Sequence, residues 1–214
     1  GFFLFGSVPE PHTLFSDIRA LPAGHTLTIE ADGRRCLEPY FDFRKALMES
    51  RNDGEPLDLR NLLVDSIRHH FVSDVPVGVF LSAGLDSASI LALASESQGH
   101  ELKSFTLGYD ELSGTINDEV PLAEEIAKYY GTKHKTEWIT NLDFNDSFSD
   151  LMMSMDQPSI DGVNTYFVAR AAARDGLKVA LSGIGADELF GGYDTFLNVP
   201  KLTKSLSWIP ALSN

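Results

Sequence analysis

Two short stretches carry side chains whose types and spacing could do chemistry. In Val75–Ser87, VPVGVFLSAGLDS, an apolar run from Val77 to Leu81 stops at Ser82-Ala83-Gly84-Leu85-Asp86-Ser87, and helical spacing continues through Ile90, Leu91 and Leu93. A short unbroken apolar run reads as a strand buried on both faces, so the stretch predicts strand, tight loop, helix. Such a loop makes an anion site. Gly84 is expected to let the backbone turn without Cβ hindrance, and the first N–H groups of the helix lack intrahelical partners and sit at the positive end of its dipole. Ser82 and Ser87 add hydroxyl donors. Asp86 suits a Mg2+ carried by phosphates, because a carboxylate repels phosphate but binds hard cations. No lysine comes after the loop, which excludes the Walker A pattern. The plain alternative is a serine-rich turn in which Ser or Asp only caps a helix.

The second stretch, Val179–Tyr193, is VALSGIGADELFGGY. An apolar strand, Leu177 to Leu181, again meets a Ser-Gly loop, and Asp187 lies five residues past Ser182 as Asp86 lies four past Ser82. In an open parallel sheet, ligands sit beyond the carboxyl ends of the strands where the winding reverses. Two such loops leaving neighbouring strands would face one crevice, with Asp86 and Asp187 sharing one metal-pyrophosphate.

SAGLDS resembles the SGGxDS pyrophosphate loop (PP-loop) of the N-type ATP pyrophosphatases. SGIGADELFGGY is similar to the second signature of glutamine-dependent asparagine synthetases, SGEGADE-(I/L/V)-FGGY. The two motifs in this order are more specific than either alone. The resemblance implies an adenine nucleotide alpha hydrolase-like fold using ATP and Mg2+. It places Ser82, Gly84, Asp86 and Ser87 on the pyrophosphate and its Mg2+, and Asp187 on the metal from the other side. Leu81, Leu107 and the Ser182-Gly183 backbone would line the adenine; equally, Leu81 and Leu107 could be plain strand residues. Glu188 is read as charging a helix start, and Gly191 and Gly192 as serving close backbone packing.

The implied chemistry is ATP-dependent amide synthesis. A carboxylate attacks the α-phosphorus, pyrophosphate leaves with its charge stabilised, and an amine displaces AMP from the acyl-adenylate. In the family the carboxylate is that of aspartate and the amine is ammonia released from glutamine, which gives asparagine. Three departures bear on this. Ala83 stands where the loop usually has glycine; a negative φ would permit its methyl, which could also narrow the phosphate approach. Ile184 stands where SGEGADE has an acid, and an isoleucine can neither accept a proton nor hold an amine. QPSIDGVNT lacks the arginine common there, with Gly162 near that position. Amidation of another carboxylate, as in relatives tied to cell-surface polysaccharide or β-lactam formation, therefore stays open, as does a non-catalytic ATP-binding module. Enzymes that adenylate tRNA, NAD precursors or nucleotides share only the first motif.

The surrounding pattern predicts how these loops are held. Leu59, Leu62, Leu63, Ile67 and Phe71 recur at helical spacing ahead of the first strand, and the helix after the first loop should end near Gln98-Gly99 with a glycine cap. Leu102–Leu107 and HKTEWI supply further strands. Between them lie the polar GYDELSGTIND loop and a helix capped by Asn117 or Asp118, with Leu122, Ile126 and Tyr129 as its buried stripe. A helix over Asn145–Met155 with Phe148, Leu151, Met152 and Met155 inward, a loop Asp156–Asn164 and a helix Thr165–Arg174 lead to the last strand. The alternation predicts an α/β, doubly wound, mostly parallel sheet with right-handed crossovers. Beyond Tyr193, with Pro200, Trp208 and Pro210, the sequence reads as irregular.

The first 43 residues are built differently. Phe2–Phe5 is apolar, prolines break the next stretch, and HTLTIEADGRRCL places Asp32-Gly33 as a two-residue hairpin turn, giving β-structure without a full core of its own. This part resembles the end of an asparagine synthetase glutaminase domain. Residues 1–43 are thus expected to be its C-terminal remnant, 44–56 a linker with Arg51–Pro56 polar, and 57–214 a synthetase domain incomplete at its C-terminus. Ammonia would come from a glutaminase domain that is mostly missing. Cys36 is read as a strand cysteine and not the glutaminase nucleophile, and no residue matches the family's downstream active-site lysine; Lys201 and Lys204 lie too close to the second motif. The chain alone is therefore expected to make little or no amide.

Composition narrows the classes further. With 214 residues and 43% hydrophobic residues the chain is of ordinary globular character. One cysteine excludes an internal disulfide framework, and six scattered histidines offer no HExxH pairing; His69 and His70 read as surface or half-buried residues and not as ligands. A net charge of −14 argues against bulk nucleic-acid binding, though not against ATP met by backbone N–H groups and Mg2+. No apolar run could span a bilayer and no signal peptide is visible, so a cytoplasmic protein is expected, with no membrane partner. The resemblance also allows a homodimer.

Overall fold

The structure, a computed structural model, describes residues 2–49 and 58–206. The expected linker segment Arg51–Pro56 and the residues around Trp208 and Pro210 lie outside the described residues. The chain divides into two compact units, Gly1–Arg60 with Leu142–Phe167, and Asn61–Asn141 with Val168–Asn214.

In the first unit, α1 (Phe2–Phe5) is one helical turn where an extended run was expected. Gly6 N–H donates to the Phe2 carbonyl at 2.8 Å and closes the turn locally. Strands β1 (His25–Ile29) and β2 (Arg35–Pro39) pair antiparallel, so the hairpin is present. Its turn is longer than the two residues expected. Glu30 N–H donates to the Arg34 carbonyl at 2.9 Å, leaving Ala31-Asp32-Gly33 as the loop, with Gly33 at φ 83°. Aspartate and glycine fill the last two places of a three-residue loop because Asp32 Oδ1 accepts Arg34 N–H and glycine takes the left-handed position. Both strands are exposed almost throughout, in keeping with β-structure that lacks a full core. Helix α2 (Phe43–Glu49), most of α6 (Asn141–Ser154) and the start of α7 (Gly162–Arg174) complete this unit. In α6, Leu151 and Ser147 are buried while Phe148 and Met152 are exposed, which corrects the expected inward set.

The second unit is the α/β fold the alternation predicted. Helix α3 (Leu59–His70) begins at the unit boundary and enters β3 (Val77–Phe80); next come α4 (Leu85–Gln98), β4 (Lys103–Tyr109), α5 (Val120–Tyr129) and β5 (Lys133–Ile139). The end of α7 leads to β6 (Val179–Leu181), α8 (Ala186–Phe190) and α9 (Thr195–Leu206). The four strands form a parallel sheet in the order β5-β4-β3-β6. Val79, Leu81 and Leu102 pack with Leu91, Ala94, Ala123, Ala127 and Ile67 of α4, α5 and α3, while Phe80 and Phe105 pack with Val168, Ala172 and Leu177. Helices thus cover both faces, the arrangement that lets strands be apolar on both sides. Gly99 ends α4 as expected, but at φ 60°, ψ −149° it takes a positive-φ conformation other than the left-handed helical cap, one that glycine reaches because it has no Cβ.

Three expectations change in this unit. The buried stripe of α5 is Val120, Ala123 and Ala127 with Ile126 beside it, while Leu122 and Tyr129 are exposed. Small residues let the helix lie close to the sheet, a preference that residue size hides from a pattern of large apolar side chains. In α3, Ile67 is buried but Leu59 and Leu62 are exposed. The stretch after Tyr193 is not irregular: α9 runs through Pro200, which has no N–H to donate into the helix.

Candidate functional site

The winding proceeds from β3 through α4 to β4 and through α5 to β5, then returns to place β6 on the other side of β3. The reversal therefore falls between β3 and β6, and each of these two strands ends in one of the serine-and-acid loops. Their register pairs Val79 with Leu181, so the loops leave the same edge at the same height.

In the first loop, Leu81 is buried, with its N–H donated to the Phe105 carbonyl at 2.8 Å and its carbonyl accepting Thr106 Oγ1 at 2.7 Å. Thr106 was not anticipated from the sequence; a strand threonine gives no sign of which carbonyl it will reach. Ser82 and Ser87 knit the loop together. Ser82 N–H donates to Ser87 Oγ at 3.0 Å, the two hydroxyls lie 2.8 Å apart, and Ser87 Oγ lies 3.1 Å from the Ser82 carbonyl. Ser87 is 6% exposed, so its hydroxyl shapes the loop from within. Gly84 is the N-cap of α4 at φ −71°, ψ 151°. Any residue adopts that conformation, which corrects the expectation that glycine is needed for the turn; a side chain there would instead crowd Ser82 Oγ at 3.2 Å. Among the described residues no residue other than glycine has positive φ, so Ala83 meets the condition under which its methyl is tolerated. Asp86 is half-buried in the first turn of α4.

The second loop repeats the device. Ser182 Oγ accepts Ile184 N–H at 3.3 Å, as Ser82 Oγ accepts Gly84 N–H at 3.2 Å. Gly185, at φ 99°, takes a conformation that side chains strain to reach and was not singled out from the sequence, although glycine two residues past Gly183 is its signal. Asp187 is half-buried in the first turn of α8, while Glu188 Oε1 accepts the Tyr193 hydroxyl at 3.0 Å. Ile184 is 88% exposed, and Leu85 in the first loop is 86% exposed.

The loops touch through Gly183. A Cβ built there would lie 3.2 Å from Asp86 Cβ and 3.2 Å from Ser87 N, so the absence of a side chain brings the second loop against the first turn of α4. Ser82, Gly84, Asp86, Ser87, Ser182 and Gly183 are thereby gathered at one strand edge, with Asp187 one turn farther along the second loop. Leu107 is half-buried on β4, one strand away.

The donor set suits Mg2+. Two hard carboxylates, Asp86 and Asp187, begin the helices that come after neighbouring strands, and among the described residues no group of three or more His, Cys, Asp or Glu could hold a metal. Mg2+ typically takes one or two carboxylates and fills its remaining positions with phosphate oxygens and water.

The family model for asparagine synthase matches residues 58–214. The chain is 34% identical over 212 residues to asparagine synthetase (glutamine-hydrolyzing) 1 of Bacillus subtilis (strain 168), covering 98% of this chain and 33% of that protein. It is 28% identical over 206 residues to amidase chyE of Penicillium rubens, covering 87% of this chain and 30% of that protein. The chain thus spans about a third of the length of the curated relatives it matches. A solved structure of NH3-dependent NAD synthetase from Campylobacter jejuni shares 15% identity at a TM-score of 0.41, covering 63% of this chain and 58% of that one.

Proposed function

The chain belongs to the asparagine synthase family, and from that premise we propose that it carries the nucleotide-binding half of an ATP-dependent amide synthesis, with aspartate as the leading carboxylate and ammonia as the amine. The observation that supports this reading most is the contact at Gly183, which joins the two serine-and-acid loops at the point where the sheet reverses. In this reading Ser82, Gly84 and the first N–H groups of α4 bind the pyrophosphate end of ATP, with Ser87 bracing them. Leu107 and the Ser182-Gly183 backbone offer the surface for adenine, whereas Leu81, buried and held to β4 through both its backbone groups, supports them from within. Asp86 and Asp187 would hold Mg2+, which neutralises charge on the departing pyrophosphate. The carboxylate substrate attacks the α-phosphorus, the acyl-adenylate forms, and the amine then displaces AMP.

Residues 1–43 are taken as the end of a glutaminase domain and 57–214 as the synthetase part, so that ammonia arrives from elsewhere in a longer protein. Cys36 fits no nucleophile role. It is exposed, its thiol donates to Glu38 Oε1 at 3.4 Å, and that carboxylate raises the thiol pKa, which keeps it protonated. In the same reading the protein works in the cytoplasm, where ATP is supplied. Among the described residues no helix is long and apolar enough to cross a membrane. A homodimer belongs to the same reading.

Ile184 favours a second reading of the substrate. An aliphatic side chain 88% exposed at the site loop offers no base and no charge, so a carboxylate or amine bearing an apolar group would suit it better than aspartate and ammonia. ATP–pyrophosphate exchange by the longer protein, measured with a panel of carboxylates, tests both. Stimulation by aspartate supports the first reading and stimulation by another acid the second; ATP binding without exchange for any acid leaves a nucleotide-binding module.

A further inference from the structure

Asp187 lies in the first turn of α8, a helix only five residues long that begins after a left-handed glycine. What restrains it is the turn after the helix. Gly191 N–H, at φ 70°, and Gly192 N–H, at 3.0 Å, both donate to the Asp187 carbonyl, so the chain folds back over the residue. Gly192 then lies so near Asp187 Oδ1 that any side chain there would collide with it. The fold-back needs a tie at its far end. Tyr193 supplies one: its hydroxyl donates to Glu188 Oε1 at 3.0 Å, while its ring stacks on Phe196 of α9 with centroids 6.3 Å apart and planes 6° from parallel.

We propose that Tyr193, tied to Glu188 and stacked on Phe196, is a positioning residue that presses Gly192 against Asp187 and so sets the direction in which that carboxylate points. The inference rests on the proposed function, in which Asp187 meets a Mg2+ bound with ATP. Glu188 then has a use besides charging a helix start: it anchors the turn, leaving its neighbour Asp187 to face the ligand. Neither Tyr193 nor Glu188 is assigned a contact with ATP. Their effect travels through two glycines, where the backbone has no side chain to absorb a shift.

The test is a titration of Mg2+ at fixed ATP, read as the rise in melting temperature of the 214-residue chain. Tyr193→Phe keeps the ring and its stack on Phe196 but removes the tie. It should weaken the apparent Mg2+ affinity by about tenfold, the low end for losing a partner that orients a metal ligand. The melting temperature of the ligand-free chain should change by no more than about 2 °C, because the lost hydrogen bond is exposed. Glu188→Gln, whose amide oxygen can still accept the hydroxyl, should keep most of the affinity; Glu188→Ala should match Tyr193→Phe, and the double variant should add nothing. If Tyr193→Phe lowers the ligand-free melting temperature but leaves the Mg2+ titration of the wild type, while Asp187→Asn abolishes it, the positioning role is overturned and the proposed site stands. If Asp187→Asn itself titrates like the wild type, the proposed site falls and this inference with it.

Discussion

At the scale of single residues, the site depends on what is missing from Gly183. In the proposed reading serine hydroxyls and carboxylates supply its chemistry, and the second loop rests against Asp86 and Ser87 because one position without a side chain lets the two loops touch. Gly183→Ala would put a methyl 3.2 Å from both Asp86 Cβ and Ser87 N, closer than such contacts relax without movement. The loops should part by a few tenths of an ångström. The expected result is an affinity for ATP with Mg2+ about tenfold lower in a binding titration, with a melting temperature lowered by no more than about 3 °C. Gly84 teaches the opposite. It looked in the sequence like the glycine that makes the turn, yet its backbone lies in the extended region open to any residue. Residue type alone does not reveal φ, and Gly185, passed over in the sequence, is the glycine of the two loops that needs the left-handed region.

At the scale of elements, strands were easier to read than helix faces. Runs such as VGVF announce burial on two sides by their continuity, whereas α5 hides its contact face in alanines and α6 exposes the aromatic residue that seemed to mark its core. Side-chain pairing between distant elements was not readable. Lys103 at the start of β4 donates through Nζ to Asp175 Oδ2 at 2.6 Å and to the Asp175 carbonyl at 3.1 Å, fastening the sheet to the turn after α7. That lysine holds the Asp175 carboxyl below the usual carboxylate range. The folded state therefore takes up the proton less readily than the unfolded chain, and the pair stabilises the fold fully above the ordinary carboxylate pKa of about 4. The contribution fades as pH falls from there through the lower folded value. With both side chains a third exposed, solvent screening limits it to about 1 kcal/mol. Urea unfolding of Asp175→Asn should show a deficit of that order at pH 7 that shrinks as pH falls below about 4; a deficit unchanged at acid pH would remove the ion pair as its cause.

At the scale of the whole molecule, a net charge of −14 sets the terms on which an anion can approach. In the proposed reading, ATP without a divalent cation meets a repulsive field, and Mg2+ would offset the charge of Asp86 and Asp187 where they begin their helices. ATP in EDTA is therefore expected to bind at least tenfold more weakly than ATP with Mg2+. Raising NaCl from 50 to 300 mM should narrow that gap by screening the repulsion, the opposite of the salt response of a nucleic-acid-binding protein. Equilibrium dialysis with labelled nucleotide would measure both. The sequence by itself determined the alternation of strands and helices, the two loops with their serines and acids, and the family, because burial on two faces and loop chemistry are written in local runs of residue types. Only the tertiary structure decided the full strand order β5-β4-β3-β6, that Gly183 rests on Asp86, and that Tyr193 reaches back to Glu188. Those facts depend on which strands pair and on backbone angles at particular glycines, and both are settled by contacts between residues far apart in the chain or by steric fit that no local pattern records.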